Sequence, residues 1–571
     1  MGIPKLSRDL EPYREHVVLG IGCSNPQADR ISRLVIDGPG LVYFVYHQLL
    51  AMGDRKANPF DAQPSCAEVC ETVRSLLLAF QNQGVEIEAI YFDGYLPVQK
   101  RSVRIQRMER SRERLAAFCR VCAQSYARPV SELPKTYKNG IELLARPTTL
   151  LSRSVLLPEP PFMVPAVIEE LRREDIIPSF KEIVHLVRGE ADIYCAAHAQ
   201  RTGAAVLSND SDLLGYDLGE TSSILILGTL EAALSDDGES CEIRCLRWRP
   251  HKIAKKLGLQ NLTRLVFERF SDPSISFHSV KNRAQQSQIS ARRRVELEKF
   301  REEYAIKDDL TGGKLMLSLD TRTSELYYQF EALRNGRQCS EDTTAAHIYL
   351  PVVVENHMRT SSWNIGLNTR ILAYSLLNLS LPDHLRRTSV VEILRSGNRI
   401  ISKGRELYDY EQVSQNVQQL LGITSRIKKA IQELTLDGLF LWRLLGLHEV
   451  CRDLSEAGKQ APDMDWMLKF LANGYVDDEL TLDAVHVDAN IQVAVYSFRI
   501  LKQLCAVSRK HLESRLISQV VTLEDCLADM PSLTEIFASR LELYGRMNRR
   551  PQPHSMGQAL ALIYDETESL D

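Results

Sequence analysis

The chain has 571 residues, enough for two to four domains with a core each. Hydrophobic residues make up 44% and charged residues 25%, which is ordinary for a globular protein. The net charge of −4 excludes a strong overall attraction to nucleic acid, so any such binding requires local basic patches. No apolar run has transmembrane length, and the N-terminus lacks the apolar core of a secretory signal, so we expect neither.

The twelve cysteines are predicted to be buried thiols. Three pairs have spacings that also occur in metal sites: Cys66/Cys70, Cys119/Cys122 and Cys241/Cys245. No CxxC pair is followed by a matching pair at zinc-finger distance. Structural zinc is therefore the weaker interpretation of these cysteines.

Short apolar strands alternate with helices over the first 230 residues. The predicted strands are 33–37, 88–94, 181–187, 204–207 and 222–227, and the main helices between them are 41–50, 66–83 and 191–201. This alternation predicts an α/β fold with a mostly parallel sheet sandwiched by helices.

Acidic residues stand where the predicted strands end. Three strands stop at Asp37, Asp93 and Asp210, and a fourth runs through Gly189 into Glu190. Ligands bind at the carboxyl ends of parallel strands, so four acids at one sheet edge indicate a functional site. A single aspartate after a strand is more often a helix cap or a turn residue, and this alternative holds for each acid taken alone.

The segment 188–216 contains two pairs of acids around one helix. Asp210 and Asp212 share a face if the backbone is extended, whereas Glu190 and Asp192 converge only if Glu190 lies at the helix entry. Gathered carboxylates repel one another and raise each other's pKa unless cations neutralise them. Hard cations with oxygen ligands, Mg²⁺ or Mn²⁺, suit such a cluster.

A basic helix is predicted soon after Asp93, at the start of an insert of nearly ninety residues. Its cations are Lys100, Arg101, Arg104, Arg107, Arg110, Arg112, Arg114 and Arg120. Two glutamates moderate the charge, so a solvated, salt-bridged helix is one interpretation. Its position beside the acids favours the other, in which it contacts a phosphate backbone.

After the sheet, 251–270 is predicted to be helical, and the charged run from about 284 is either a linker or an exposed helix. The remainder is rich in predicted helices and contains no recognisable cluster of acids, histidines or cysteines. We expect a scaffold or partner-binding region there.

Five motifs in order, MGI, VIDGPG, YFDGYLPVQKR, RGEADIYCAAHA and SNDSDLLGYDLG, resemble the XPG/flap-endonuclease superfamily of PIN-like nucleases. The later stretch IYLPVVVENHMRTSSWNIGLNTRILAYSLL is similar to the Asteroid branch of that superfamily. The resemblance implies a PIN-like domain over 1–235 with an arch-like insert at about 95–180. A helical extension and charged linker follow at 236–300, and a helix-rich Asteroid-type domain at 301–571.

The resemblance also implies roles for individual residues. The metal-binding acids fall on Asp37, Asp93, Glu190, Asp192, Asp210 and Asp212. The phosphate-contacting pair at the base of the arch falls on Lys100 and Arg107, and the N-terminal Gly2 lies near the active site. Arg101, Arg104 and Arg114 extend the expected nucleic-acid surface.

Two departures from the superfamily pattern are visible. The Gly-rich segment that grips duplex DNA is replaced by SDPSISFHSVKNRA, in which Asp272 is either a seventh metal ligand or a turn residue before Pro273. No clamp-binding motif is found near the C-terminus.

The implied activity is hydrolysis of DNA phosphodiesters by two Mg²⁺ or Mn²⁺ ions at single-strand/double-strand junctions, flaps or overhangs, in DNA repair. The substrate expectation is DNA, with RNA as the alternative, and the location is nuclear, with the cytoplasm as the alternative. A protein partner is expected to bind the C-terminal region. The rival hypothesis is a non-catalytic PIN-like scaffold that binds RNA or protein in post-transcriptional regulation.

Overall fold

A computed structural model describes residues 2–21, 29–52, 63–95, 100–121, 139–145, 157–176, 179–234, 241–306, 318–335, 345–434, 438–473, 481–539, 542–543 and 553–568. Among these residues, none of the helices has the length and apolar character that a membrane crossing requires.

Twelve strands are found in the described ranges, in two sheets. They are β1 Glu15–Leu19, β2 Arg30–Ile31, β3 Arg33–Asp37, β4 Glu86–Tyr95, β5 Val184–Arg188, β6 Ala205–Ser208, β7 Ile224–Ile226, β8 Glu231–Leu234, β9 Cys241–Trp248, β10 Ala346–Tyr349, β11 Ser389–Ser396 and β12 Arg399–Glu406. The large sheet has the order β2-β1-β9-β7-β6-β3-β4-β5, with β8 paired to β9. The small sheet has the order β10-β11-β12.

The helices are α1 Leu6–Asp9, α2 Gly38–Met52, α3 Cys66–Asn82, α4 Arg101–Val121, α5 Gly140–Leu144, α6 Met163–Leu171, α7 Ala191–Thr202, α8 Pro250–Leu257, α9 Thr263–Ser271, α10 Phe277–Gln285, α11 Ala291–Glu303, α12 Thr321–Arg334, α13 Leu367–Leu379, α14 Tyr410–Glu433, α15 Gly438–Glu456, α16 Met464–Asn473, α17 Leu482–Ser508, α18 Ser514–Cys526, α19 Leu533–Ile536 and α20 Pro553–Glu568.

The strand order places a topological switch point between β3 and β6. From β3 the chain proceeds outward through β4 and β5, and it then returns to β6 on the other side of β3 and continues to β7. All of these neighbours pair in parallel. A crevice opens outside the carboxyl ends of the strands at such a reversal, and ligands bind there in open α/β sheets. Asp37 and Asp210, which follow β3 and β6, flank this crevice.

The α/β prediction with a mostly parallel sheet is confirmed. The first predicted strand, 33–37, is β3 and has the predicted bounds. The second, predicted over 88–94, is β4 and is longer at both ends. The third prediction began too early, because 181–183 form a 3₁₀ turn before β5 starts at Val184. The antiparallel strands β1 and β9 were not predicted, since both carry polar residues such as Glu15 and Arg244.

Two further differences lie after the sheet. The single helix predicted over 251–270 is two helices, because Gly258 takes a left-handed conformation with φ 68° and ends α8. The charged run near 290 is a helix, α11, whose Leu297 and Phe300 are buried. The expected helix-rich C-terminal region is confirmed, but it also contains the small sheet, in which β11 and β12 form an antiparallel hairpin.

The large sheet is covered on both faces by separate apolar clusters. One face packs against α1, α7 and the helices α8–α11, with Trp248 buried near its centre. The other face packs against α2, α3 and α6. The cluster on this second face continues without interruption into the helices and the small sheet of the C-terminal half.

Phe162, which precedes α6 in the insert, joins the two halves. Its ring stacks on Phe537 with centroids 4.2 Å apart and lies 4.3 Å from the ring of Tyr496. Both partners belong to the C-terminal half, and Phe162 is fully buried. This part of the insert is therefore core rather than a free-standing arch.

We expect Phe162→Ala to destabilise both halves together, by roughly 3–5 kcal/mol, because it leaves a cavity where they meet. Urea unfolding followed by far-UV circular dichroism and tryptophan fluorescence should show one coincident transition moved to lower urea. Phe270→Ala, at a ring that is 56% exposed, is the control and should shift the midpoint little. Two separate transitions, with only one displaced, would contradict a shared core.

Candidate active site

Asp37 ends β3 and is fixed by two hydrogen bonds. The backbone N–H of Gly40 donates to its Oδ1 at 3.1 Å, and the hydroxyl of Ser208 donates to its Oδ2 at 2.6 Å. A Cβ on Gly40 would lie 2.4 Å from Oδ2, so the glycine is required for this approach. Ser208 ends β6, and its bond ties the two strands that flank the switch point.

The segment after β5 turns so that its acids face the same edge. Gly189 has φ 99°, in the left-handed region, and its N–H donates to the carbonyl of Tyr95. Glu190 is thereby the N-cap of α7 and Asp192 lies in its first turn, as the predicted convergence requires. Asp93 at the end of β4 accepts a hydrogen bond from the backbone N–H of Ala191 at 2.7 Å.

The segment after β6 brings the remaining acids to this edge. Asp210 caps the 3₁₀ turn Ser211–Gly215 by accepting from the N–H of Asp212 at 2.9 Å. Asp212 accepts from the backbone N–H of Ile3. Gly2 packs against this turn so closely that a Cβ on it would lie 2.1 Å from Ser211 Oγ and 2.9 Å from Asp210 Oδ1. The N-terminal segment therefore lies at the acid cluster, which comprises Asp37, Asp93, Glu190, Asp192, Asp210 and Asp212.

Mutual repulsion identifies these acids as one electrostatic group. Burial, followed by the charges of Asp37, Asp210 and Asp93, raises the pKa of Asp192 well above its ordinary value. Burial is also the main cause that raises the pKa of Asp93 to about 7, with Asp37 and Glu190 adding to it. The pKa of Asp212 rises to about 7 through burial and then the charge of Asp210. The pKa values of Asp37 and Asp210 are raised too, again mainly by burial.

The cluster fits a hard cation in its chemistry. Its donors are all carboxylate oxygens, and Asp212 Oδ1 is buried with no hydrogen-bond partner. Across the described ranges, however, no three acidic, histidine or cysteine side chains are already arranged to hold a metal ion.

Lys100 is the cation that lies in this cluster. Its Nζ is 3.2 Å from Glu190 Oε1. Burial lowers the pKa of Lys100, but the charge and hydrogen bond of Glu190, with the charges of Glu303 and Asp212, together raise it. The charge of Lys100 also lowers the pKa values of Asp210 and Asp212. Lys100, which immediately precedes α4, thus lies beside the acids.

The basic helix α4 packs on the C-terminal half. Its Met108 joins a buried cluster with Tyr349 and Ile393 of the small sheet, and its Leu115 and Phe118 join another with Val352.

The predicted phosphate contacts on α4 differ in their surroundings. Arg104 pairs with Glu325 at 2.5 Å, and its guanidinium lies 4.5 Å from the ring centroid of Tyr349. Arg114 pairs with Glu159, and Arg101 contacts His347 at 3.4 Å. These interactions give Arg101, Arg104 and Arg114 structural contacts within the protein. Arg107 lies on the exposed side of the helix, and its charge reaches Tyr43 of α2.

Asp272 does not join the acid cluster. It follows α9, and its Oδ1 accepts hydrogen bonds from the N–H and the hydroxyl of Ser274, at 3.2 and 2.6 Å. Its Oδ2 lies 3.5 Å from Arg283, and these partners lower its pKa. The contacts of Asp272 are those of a turn residue, the second of the two roles considered for it.

The sequence reasoning did not single out Ser208. The signal was available, because Ser208 opens the same SNDSD run that supplies Asp210 and Asp212. The sequence also gave no sign that helix α12 lies near the site. The helical pattern of 321–334 does not reveal which part of the sheet the helix packs against.

We expect Mn²⁺ to raise the melting temperature by several degrees, because a cation that binds only the folded state adds RT ln(1 + [L]/Kd) to the free energy of unfolding. An Asp210→Ala/Asp212→Ala variant should lose this shift, because it removes both acids of the β6 segment. Differential scanning fluorimetry with and without millimolar Mn²⁺ measures it. Equal shifts in the unsubstituted protein and the variant would show that the ion does not bind through Asp210 and Asp212.

Metal-free stability should depend on pH through Asp93 and Asp212. Their folded pKa values of about 7 exceed the ordinary aspartate value of 3.8, so their stabilising effect is complete below about pH 4 and lost as the pH rises through about 7. In EDTA, Asp93→Asn/Asp212→Asn should therefore melt several degrees above the unsubstituted protein at about pH 8. The gap should close near pH 5.5, and a gap independent of pH would refute this linkage.

Comparison with known proteins agrees with this site and fold. A family model described as XPG domain containing matches residues 159–407, which include four of the six acids as well as α12 and the small sheet. Asteroid homolog 1 of Schizosaccharomyces pombe is 24% identical over 436 residues, covering 73% of this chain and 68% of that protein. No solved structure matches. With the parallel sheet and its acidic edge, these matches show that the chain is similar to XPG-domain proteins and to Asteroid homolog 1.

Proposed function

We propose that this protein is a divalent-metal-dependent nuclease that hydrolyses DNA phosphodiesters at single-strand/double-strand junctions, flaps or overhangs. The observation that carries the proposal is the acid cluster at the switch point of the sheet. Five of its six members have a raised pKa, chiefly because they are buried. Groups of titratable side chains with shifted pKa values occur most often at functional sites, so this cluster marks a candidate active site.

The cluster acids would hold Mg²⁺ or Mn²⁺, which would supply Lewis acidity and an activated water when bound. The acids act as ligands, and the proposal assigns no proton transfer to a histidine. Lys100 stands at the mouth of the cluster, where its ammonium group can balance charge on the phosphate undergoing cleavage. Arg107, on the exposed side of α4, is proposed to share this task.

The charge of the protein limits where a nucleic acid could bind. With a net charge of −4, the protein gains no general attraction to nucleic acid, so contact depends on the cations near the cluster. We propose DNA with single-stranded or junction character as the partner, RNA as the alternative, and DNA repair in the nucleus as the setting. A protein partner on the C-terminal half is part of the same proposal.

A second function, a PIN-like scaffold that binds RNA or protein without cutting, is favoured by one observation. Several cluster acids already have structural partners: Asp93 accepts from the first turn of α7, Asp210 caps a 3₁₀ turn, and Glu190 pairs with Lys100. Acids used in this way would be retained even in a non-catalytic protein. The two functions differ in whether loss of a single cluster charge abolishes cleavage.

The test is cleavage of an end-labelled overhang or flap oligonucleotide in Mg²⁺ or Mn²⁺. We expect the unsubstituted protein to cut and Asp210→Asn to lose at least a hundredfold in rate, about 2.7 kcal/mol of barrier. Asp272→Asn is the matched control, since it removes the same charge from an acid outside the cluster, and it should keep near-normal activity and melting temperature. If no cleavage occurs, or if Asp210→Asn cuts normally, the scaffold is the better account.

We further expect Lys100→Ala/Arg107→Ala to lower single-turnover cleavage more than it weakens binding. The reason is that Lys100 lies among the acids, where charge builds up in the transition state. Arg110→Ala, at an exposed position of the same helix, is the control. Weaker binding with an unchanged cleavage rate would mean that the pair only holds the phosphate backbone.

A further inference from the structure

Helix α12 belongs to the C-terminal half but lies beside the acid cluster. It packs against β4, the strand that carries Asp93. Two ion pairs fasten it there. Glu325 binds Arg104 in the first turn of α4 at 2.5 Å, and Glu331 lies 3.8 Å from Arg188 at the end of β5. The guanidinium of Arg188 also lies 5.2 Å from the ring centroid of Tyr328. Helix α12 is therefore a wall of the catalytic edge.

Arg322 in the first turn of this helix carries a charge that its surroundings do not balance. Its Nε is buried with no hydrogen-bond partner, and no ion pair to its guanidinium is found within the described part of the chain. Glu325 is the acid whose field reaches it, and that carboxylate is already paired with Arg104. Burial and the positive charge of Arg104 lower the pKa of Arg322 to about 10. Such a desolvated, unpaired cation costs free energy in the unliganded protein.

Arg322 shares electrostatic neighbours with the acids of the cluster. Tyr43, one and a half turns along α2 from Asp37, feels the charges of Arg322, Arg107 and Asp93. Arg104, whose charge acts on Arg322, also acts on Asp93. An unbalanced guanidinium thus lies on the helix that packs against β4, the strand that carries Asp93. A polyanion with regularly spaced charges fits both the acid cluster and Arg322. One phosphate can bind at the cluster through the cations there, while another phosphate binds Arg322.

We propose that Arg322, supplied by the C-terminal half, binds a backbone phosphate of the nucleic acid next to the phosphate held at the acid cluster. The identity of the ligand rests on the proposed function; the unbalanced charge does not. Arg322 is a substrate-positioning residue, because it meets a neighbouring phosphate and not the reacting one. The planar fork of its guanidinium suits two phosphate oxygens at once.

The test measures binding of a labelled overhang oligonucleotide to the full chain in millimolar Ca²⁺, over a range of salt concentrations. Loss of one phosphate contact lowers the slope of log K against log salt by about 0.7–0.9. We expect this decrease in Arg322→Gln, with affinity about tenfold weaker. Arg509→Gln, which removes an exposed arginine paired with Glu524, is the matched control and should bind like the unsubstituted protein.

Melting temperature separates a binding role from a structural one. Removing an unpaired, desolvated charge should leave the melting temperature of Arg322→Gln equal to that of the unsubstituted protein or higher. Arg322→Lys keeps the charge and should retain the salt slope with a smaller loss of affinity. An unchanged slope in Arg322→Gln, a melting temperature several degrees lower, or Arg322→Lys binding as weakly as Arg322→Gln would each overturn the proposal.

The outcomes also separate this inference from the proposed function. Salt-dependent binding that responds to Arg322→Gln, without cleavage in Mn²⁺, would support the phosphate contact and refute the nuclease. Cleavage by the unsubstituted protein, with binding unchanged in Arg322→Gln, would support the nuclease and refute the phosphate contact.

Discussion

The structure depends on negative charge concentrated at one edge of the large sheet. Six carboxylates are brought there by the ends of β3, β4, β5 and β6, where their repulsion opposes folding. The fold offsets this cost with fixed dipoles and nearby cations, among them Lys100 and Arg104. Backbone N–H groups of Gly40, Ala191 and Asp212 point at three of the acids, and Lys100 lies beside a fourth. The remaining imbalance is what a bound cation would relieve.

The C-terminal half is part of this arrangement and not an appendage to it. Its aromatic residues enclose Phe162 of the insert, its small sheet packs against α4, and its helix α12 packs against β4. The family match from 159 to 407 runs across the same junction without a break. The position of every cation on α4 is therefore set by the C-terminal half, which determines which of them can meet a substrate.

Much of the site could be predicted from the sequence because local signals coincided with the fold. Strand-end acids and the glycines at 40 and 189 act through neighbouring backbone, so the geometry of Asp37 and Glu190 followed from short segments. The surroundings of Arg104 could not be predicted, since its partner Glu325 lies 221 positions along the chain. Asp272 shows the opposite limit. Its place in the order of the motifs made Asp272 a candidate for a seventh metal ligand. Its side chain instead stabilises a local turn by accepting a hydrogen bond from the hydroxyl of Ser274.

The shared core has a genetic consequence. In a protein built from independent modules, a premature stop codon late in the reading frame spares the upstream module. Here the ring stack at Phe162 requires Tyr496 and Phe537, so a chain that stops before them lacks the side chains that cover Phe162 where the two halves meet. Late nonsense and frameshift alleles should therefore resemble full deletions, and separation-of-function alleles should be sought among single substitutions.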